Sequence, residues 1–143
     1  GVKSDNNNNH HEHINIDYLV IVRDIPFTSL CEHHMLPFSG TVHIGYLPRD
    51  HILGLSKFAR LTNMLSKRFQ VQERLTKQIC YTLQQRLQPH GVIVCIDSEH
   101  SCMSCRGVRA TATTLTCSQT GCFQNNNNLK QEFFMLINKN LRR

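Results

Sequence analysis

The sequence of 143 residues has no tryptophan, only four prolines, and aromatics amount to 7% of it. It contains no run of 18 apolar residues, which excludes a membrane-spanning helix. Acidic residues are also scarce: ten Asp and Glu face sixteen Lys and Arg, a net charge of +6 with histidine neutral. Such an excess suits solubility or an anionic partner such as phosphate or a nucleotide. The missing tryptophan, the few aromatics and the lack of a long basic run speak against nucleic acid. The opening residues Gly1 to Asn9 are polar, so no secretory signal is expected and the predicted location is cytoplasmic, away from membranes. The chain starts with Gly rather than Met, as a trimmed or partial product does. Its length suits one domain and is too short for two well-buried cores.

Cysteine is what the sequence has in quantity. The seven are Cys31, Cys80, Cys95, Cys102, Cys105, Cys117 and Cys122. An odd number without a secretory signal argues against a disulfide framework and for reduced thiols. Cys80 lies in a helical pattern and Cys95 in an apolar run, so both are expected to be buried small hydrophobes.

Residues 1–15 are predicted to be a disordered stub, with Asn6 to Asn9 followed by His10, His11 and His13. The remainder, residues 16–143, is patterned. Tyr18 to Ile25 is β-branched and predicts a strand. Thr41 to Leu47 alternates, placing Val42, Ile44 and Tyr46 on one face of another. Ser56 is positioned to cap a helix carrying Phe58, Leu61 and Leu65. Leu75, Ile79, Leu83 and Leu87 recur every fourth residue on a second helix, which Pro89 and Gly91 end. Gly91 to Ile96 predicts a buried strand and Val108 to Thr116 a fourth. Asn125 to Asn128 predicts a surface loop insertion before a short helix over Leu129 to Ile137. The order β-β-α-α-β-β with a closing helix predicts an α+β domain: an antiparallel sheet with helices on one face. The sheet's two edges invite pairing with other subunits.

Four clusters carry chemistry. In Cys31-Glu32-His33-His34, the three-residue spacing of Cys31 and His34 lets a thiolate and an imidazole converge on one ion, and zinc prefers both. A second segment, His100-Ser101-Cys102-Met103-Ser104-Cys105-Arg106, can complete the site in two ways. One added cysteine gives three ligands and an open position for water; both give a closed Cys₃His structural site. His33 and His100, beside such an ion, suit proton transfer, which favours the open form. Third, Ser56, Lys57 and Arg60 at a helix start, together with Arg106, suit a ligand with several negative charges. Fourth, Gln72 and Glu73 open a helix, where a carboxylate beside an amide can take the N–H donors of a base edge. On sequence alone, an exposed helix cap favoured by the helix dipole is the default reading of Glu73.

These segments occur together in an order that resembles the GTP cyclohydrolase I family. The resemblance runs from Val22-Arg23-Asp24-Ile25 into Cys31-Glu32-His33-His34-Met35-Leu36-Pro37-Phe38. It continues through Gly54-Leu55-Ser56-Lys57 and Val71-Gln72-Glu73-Arg74-Leu75-Thr76-Lys77-Gln78-Ile79 to His100-Ser101-Cys102-Met103 and Arg106-Gly107-Val108. It covers roughly Tyr18 to Ile137. The resemblance implies a catalytic domain over 16–143 with the tunnelling fold (T-fold), strands of neighbouring subunits joining into a barrel. It implies a homo-oligomer, a toroidal decamer with sites between subunits, and Zn²⁺ held by Cys31, His34 and Cys102. His33, His100 and Ser56 would be catalytic. Gln72 and Glu73 would read guanine, and Lys57, Arg60 and Arg106 would hold the triphosphate. The implied reaction opens the imidazole ring of GTP at C8, with His100 protonating N7 and C8 leaving as formate. His33 and Ser56 would then assist the ribose rearrangement that yields 7,8-dihydroneopterin triphosphate. The alternative is a truncated or inactive copy with a closed Cys₃His zinc site, co-assembling with full-length subunits.

Overall fold

The computed structural model describes residues 18–100 and 113–139. The stub expected over 1–15, Cys102, Cys105 and Arg106 lie outside the described residues. Strand β1 (Val20–Cys31) and strand β2 (Pro37–Leu47) form a hairpin, followed by helix α1 (Leu55–Ser66). A two-residue strand β3 (Phe69–Gln70) leads into helix α2 (Gln72–Leu87). Strands β4 (Gly91–His100) and β5 (Thr113–Gly121) precede the closing helix α3 (Asn127–Asn138). The sheet order is β3-β1-β2-β4-β5, antiparallel throughout except where β3 runs beside the end of β1.

The alternation along β4 explains the layering. Val92, Val94 and Ile96 join Val42, Ile44 and Tyr46 beneath α1 and α2, with Phe58, Leu75, Ile79 and Leu83. Ile93 and Cys95 point the other way, because successive side chains in a strand alternate faces. There they meet Phe123, Leu129 and Phe133 at α3. The helical pair covers one face and the closing helix covers the opposite one. Gly45 is where α3 comes closest to β2, since a Cβ there would sit 2.6 Å from the Phe133 ring.

Several local expectations change. Strand β1 runs on to Cys31 instead of ending near Ile25. A register shift between Val22 and Ile25, with Asp24 at φ 61°, lets the chain resume alternation past Pro26. Such a bulge restarts the pleat after an extra residue. Ser56 does not cap α1: the cap position is Gly54, and Ser56 lies exposed inside the helix. Asn125 to Asn128 is at the surface but is no loop insertion. Asn126 caps α3, its side chain accepting from the Leu129 amide at 3.0 Å. Thiols are not all free either. Cys95 and Cys117 stand directly opposite on β4 and β5, Cα atoms 4.3 Å apart, and are disulfide-bonded. Close antiparallel pairs bring two Cα atoms to about 4.5 Å, within reach of a bridge. Cys80 meets its expectation: it is fully buried, and burial pushes its thiol up to about 11. Among the described residues no helix is long and apolar enough to cross a membrane.

Candidate active site

The turn after β1 is built by the backbone. The Met35 amide donates to the Cys31 carbonyl at 2.8 Å and the Cys31 amide to Leu36 at 2.9 Å. Met35 closes the turn in the left-handed region at φ 55°. Glu32 fastens the turn sideways, its amide donating to the Gln70 carbonyl at 3.0 Å. Its carboxylate takes two hydrogen bonds from the Arg74 guanidinium, at 2.6 and 2.9 Å. That guanidinium holds the Glu32 carboxyl below its ordinary range.

Within this turn the Cys31 sulfur lies 3.9 Å from Nδ1 of His34. Two ligands of a tetrahedral zinc, at about 2.3 Å for sulfur and 2.0–2.1 Å for nitrogen, stand roughly 3.6 Å apart. The pair therefore fits two corners of a zinc site. No third His, Cys, Asp or Glu joins them among the described residues.

His100 ends β4 and enters the same cleft. Its ring stacks on Phe38, centroids 4.7 Å apart and planes within 4°. Its Nε2 lies 2.8 Å from the Gln72 carboxamide oxygen. Burial pushes its pKa below the ordinary imidazole value, with the Glu73 carboxylate pulling weakly the other way. Cys31, His33, His34, Val71, Gln72, Glu73, His100 and Thr114 line one cleft of about 250 Å³. Glu73 is exposed at its rim, and α2 opens there without a side-chain cap. Its first amides thus have no helical partner.

Six of the expected site residues thus come together: Cys31, His33, His34, Gln72, Glu73 and His100. The Gln72 side chain, however, is buried and fully engaged by protein groups, so it has no free edge to offer a base. Ser56, Lys57 and Arg60 do not join them. Lys57 and Arg60 line a different cleft between α1 and α2, with Arg86 and Leu83. Arg86 follows Glu73 by thirteen residues on α2, about 20 Å along the axis at 1.5 Å per residue. Phe38, Ser98 and the Glu32–Arg74 clamp are partners that local sequence reasoning missed. Each depends on strand register or on a contact 42 residues apart in sequence.

A family model described as GTP cyclohydrolase I matches residues 1–138. The chain is 50% identical over 135 residues to GTP cyclohydrolase 1 of Dictyostelium discoideum, covering 94% of this chain and 56% of that protein. It is 52% identical over 122 residues to GTP cyclohydrolase 1 of Gloeobacter violaceus, covering 85% and 57%. The protein of the same name from Rattus norvegicus is 50% identical over 122 residues, covering 85% and 51%. The chain thus spans slightly more than half the length of these relatives. A solved structure, the archaeosine synthase QueF-Like in the apo form, superposes with a TM-score of 0.62 at 18% identity, covering 72% of this chain and 93% of that one. That likeness concerns fold alone, and it agrees with the tunnelling fold that the family resemblance implies. On the extent of the match and the identities together, the chain belongs to the GTP cyclohydrolase I family.

Proposed function

We propose that this chain forms sites for the zinc-dependent hydrolysis of GTP to 7,8-dihydroneopterin triphosphate and formate. The observation that carries the reading is the convergence of Cys31 and His34 with His33, His100 and Glu73 on one cleft. Zinc would be held by Cys31, His34 and Cys102, and when bound it supplies Lewis acidity that activates water near neutral pH. Glu73 accepts hydrogen bonds from N1–H and the 2-amino group of guanine, a charge-assisted pairing. The amides that open α2 lie beside it and suit the carbonyl oxygen of the same base. His100, held against Phe38, moves a proton at N7 during ring opening. His33, on the exposed side of the turn, assists the ribose rearrangement.

The phosphates require cations, and no Lys or Arg is among the described residues that line this cleft. Lys57 and Arg60 lie near the far end of α2 from Glu73, so the triphosphate of one site is met by these residues from a neighbouring copy. Ser56 precedes them on the same helix of that neighbouring copy and would reach the ribose of the same substrate. Arg106 adds charge from the segment carrying Cys102. This division of labour is the physical argument for a homo-oligomer, with a decameric ring as the arrangement implied by the family resemblance. Enzyme and GTP would meet in the cytoplasm.

The test is direct. Purified, zinc-loaded protein is incubated with GTP while formate and pterin fluorescence are followed. Equal release of both supports the reading, and a zinc-loaded oligomer that forms neither refutes it. His100→Ala should keep its zinc and lose turnover by about 100-fold or more. Cys105→Ala should keep its zinc too; loss of the metal would instead identify the closed Cys₃His site.

A further inference from the structure

Gln72 makes more side-chain hydrogen bonds than any role as a base reader would leave possible. Its carboxamide nitrogen donates toward the carbonyl oxygens of Ile96 at 3.2 Å and Thr114 at 2.9 Å, and toward the Thr116 hydroxyl at 3.1 Å. Its oxygen accepts from the Ser98 hydroxyl at 2.5 Å and faces His100 Nε2 at 2.8 Å. An amide has two N–H donors and one oxygen with two lone pairs. Both ends are used, and the side chain is 2% exposed.

The orientation of that amide follows from its surroundings. The two backbone carbonyls can only accept. Turning the amide over would set its oxygen against both of these carbonyl oxygens and forfeit the hydrogen bonds it gives them. The nitrogen therefore faces Ile96 and Thr114, and the oxygen faces His100. An oxygen cannot donate, so the hydrogen in the His100 contact must reside on Nε2. Thr76 reinforces the arrangement from within α2, donating to the Gln72 carbonyl at 2.7 Å and standing 2.7 Å from the Thr116 hydroxyl.

We propose that Gln72 is a positioning residue for His100, holding the imidazole in its Nε2–H tautomer and presenting Nδ1 as the nitrogen that exchanges protons with the substrate. Phe38 sets the ring plane, and Gln72 sets which nitrogen carries the hydrogen. Two backbone carbonyls, one on β4 and one on β5, are thereby transmitted through one amide to the reacting atom. The inference rests on His100 being the proton-transfer residue of the proposed reaction, but its structural half stands without any turnover.

The experiment uses the full chain with zinc, selectively ring-¹⁵N-labelled at histidine. Solid-state ¹⁵N spectra are recorded above neutral pH, and His100 is assigned by the signals lost in His100→Gln. The expected pattern has a protonated Nε2 and an unprotonated Nδ1. An Nδ1–H pattern in the unaltered protein overturns the proposal, whether or not the protein turns over GTP. In Gln72→Met, similar in volume but without the acceptor, the pattern should become a mixture of tautomers. The kcat for GTP should fall about 10- to 100-fold while KM moves less than threefold. Ser98→Ala removes only the second donor to the same oxygen and should keep the wild-type pattern. A raised KM with kcat and tautomer intact in Gln72→Met would restore the base-reading role and refute the positioning one.

Discussion

Arg74 grips Glu32 through two parallel hydrogen bonds, at 2.6 and 2.9 Å, and so ties the Cys31–His34 turn to the first turn of α2. The pair joins the two segments whose neighbouring residues line the cleft. Breaking it leaves Cys31 and His34 on a turn anchored by backbone bonds alone. Glu32→Gln and Arg74→Ala should each weaken zinc retention by roughly tenfold, as loss of groups that support metal ligands does. The double exchange, Glu32→Arg with Arg74→Glu, should recover most of it. Competition against a chromophoric chelator measures all three, and unchanged zinc affinity in both single variants would show that the clamp does not support the turn. The Glu32 carboxyl is held below its ordinary 4.5 chiefly by the Arg74 hydrogen bond. The contribution of the pair is therefore complete above about that pH and is lost as pH falls through the lowered value.

His43 also makes stability fall as pH falls, but in a higher pH window and because burial disfavours its charged form. It is 8% exposed, and Nδ1 accepts from the Asp24 amide at 3.1 Å. Burial pushes its pKa below 6.5; Asp24 and Asp97 oppose that shift, and Arg23 adds to it. The unfolded chain takes up this proton near 6.5, before the folded one does. Folding thus becomes less favourable as pH falls below about 6.5, down to the lowered folded value. Thermal midpoints should decline between pH 7 and pH 5, and His43→Gln should flatten part of that decline. An identical slope in the variant would assign the effect to other groups.

Gly40 shows how closely β2 and β4 must approach beside the site. A Cβ there would collide with the Asp97 carbonyl and sit 2.7 Å from the Ser98 Cα. Both contacts are backbone, so no side-chain rotation relieves them. Gly40→Ala should destabilise the protein by about 3 kcal/mol, the upper part of the range for overpacking. It should also loosen His100, which pairs with Phe38 two residues along the same ladder. Chemical denaturation reads the first effect and His100 ring spectra the second. A variant as stable as the parent would mean that the strands can separate without cost.

What the sequence disclosed and what it withheld divide along a physical line. Periodicity located α2, because Leu75, Ile79, Leu83 and Leu87 all face one core. Strand β2 was found for the same reason, through Val42, Ile44 and Tyr46. Six residues that line the cleft were legible because Cys31, His33 and His34, Gln72 with Glu73, and His100 belong to short local clusters. The far half of β1 was hidden because the β-branched run ends at Ile25, and the bulge that carries the strand past Pro26 depends on its pairing with β2. The α3 cap looked like an insertion because four asparagines in a row mask the one that bonds the helix. The Cys95–Cys117 bridge and the Gln72 network depend on strand register, which no local spacing encodes.

The separation of the two clefts leads to the last prediction. Glu73 lies at the start of α2, whereas Lys57 and Arg60 share a cleft with Arg86 near its end. About 20 Å of helix lies between the two ends. If one copy supplies the base-binding side and its neighbour the phosphate-binding side, two defective chains can repair each other. Glu73→Ala and Arg60→Ala should each be nearly inactive alone. Unfolded together and reassembled in equal amounts, they should place an intact Glu73 opposite an intact Arg60 in about a quarter of the sites, by random mixing in a symmetric ring. Activity should return to roughly that fraction of the parent's value. A mixture no more active than its components would mean that both residues act within one chain, and the shared-site arrangement would fail.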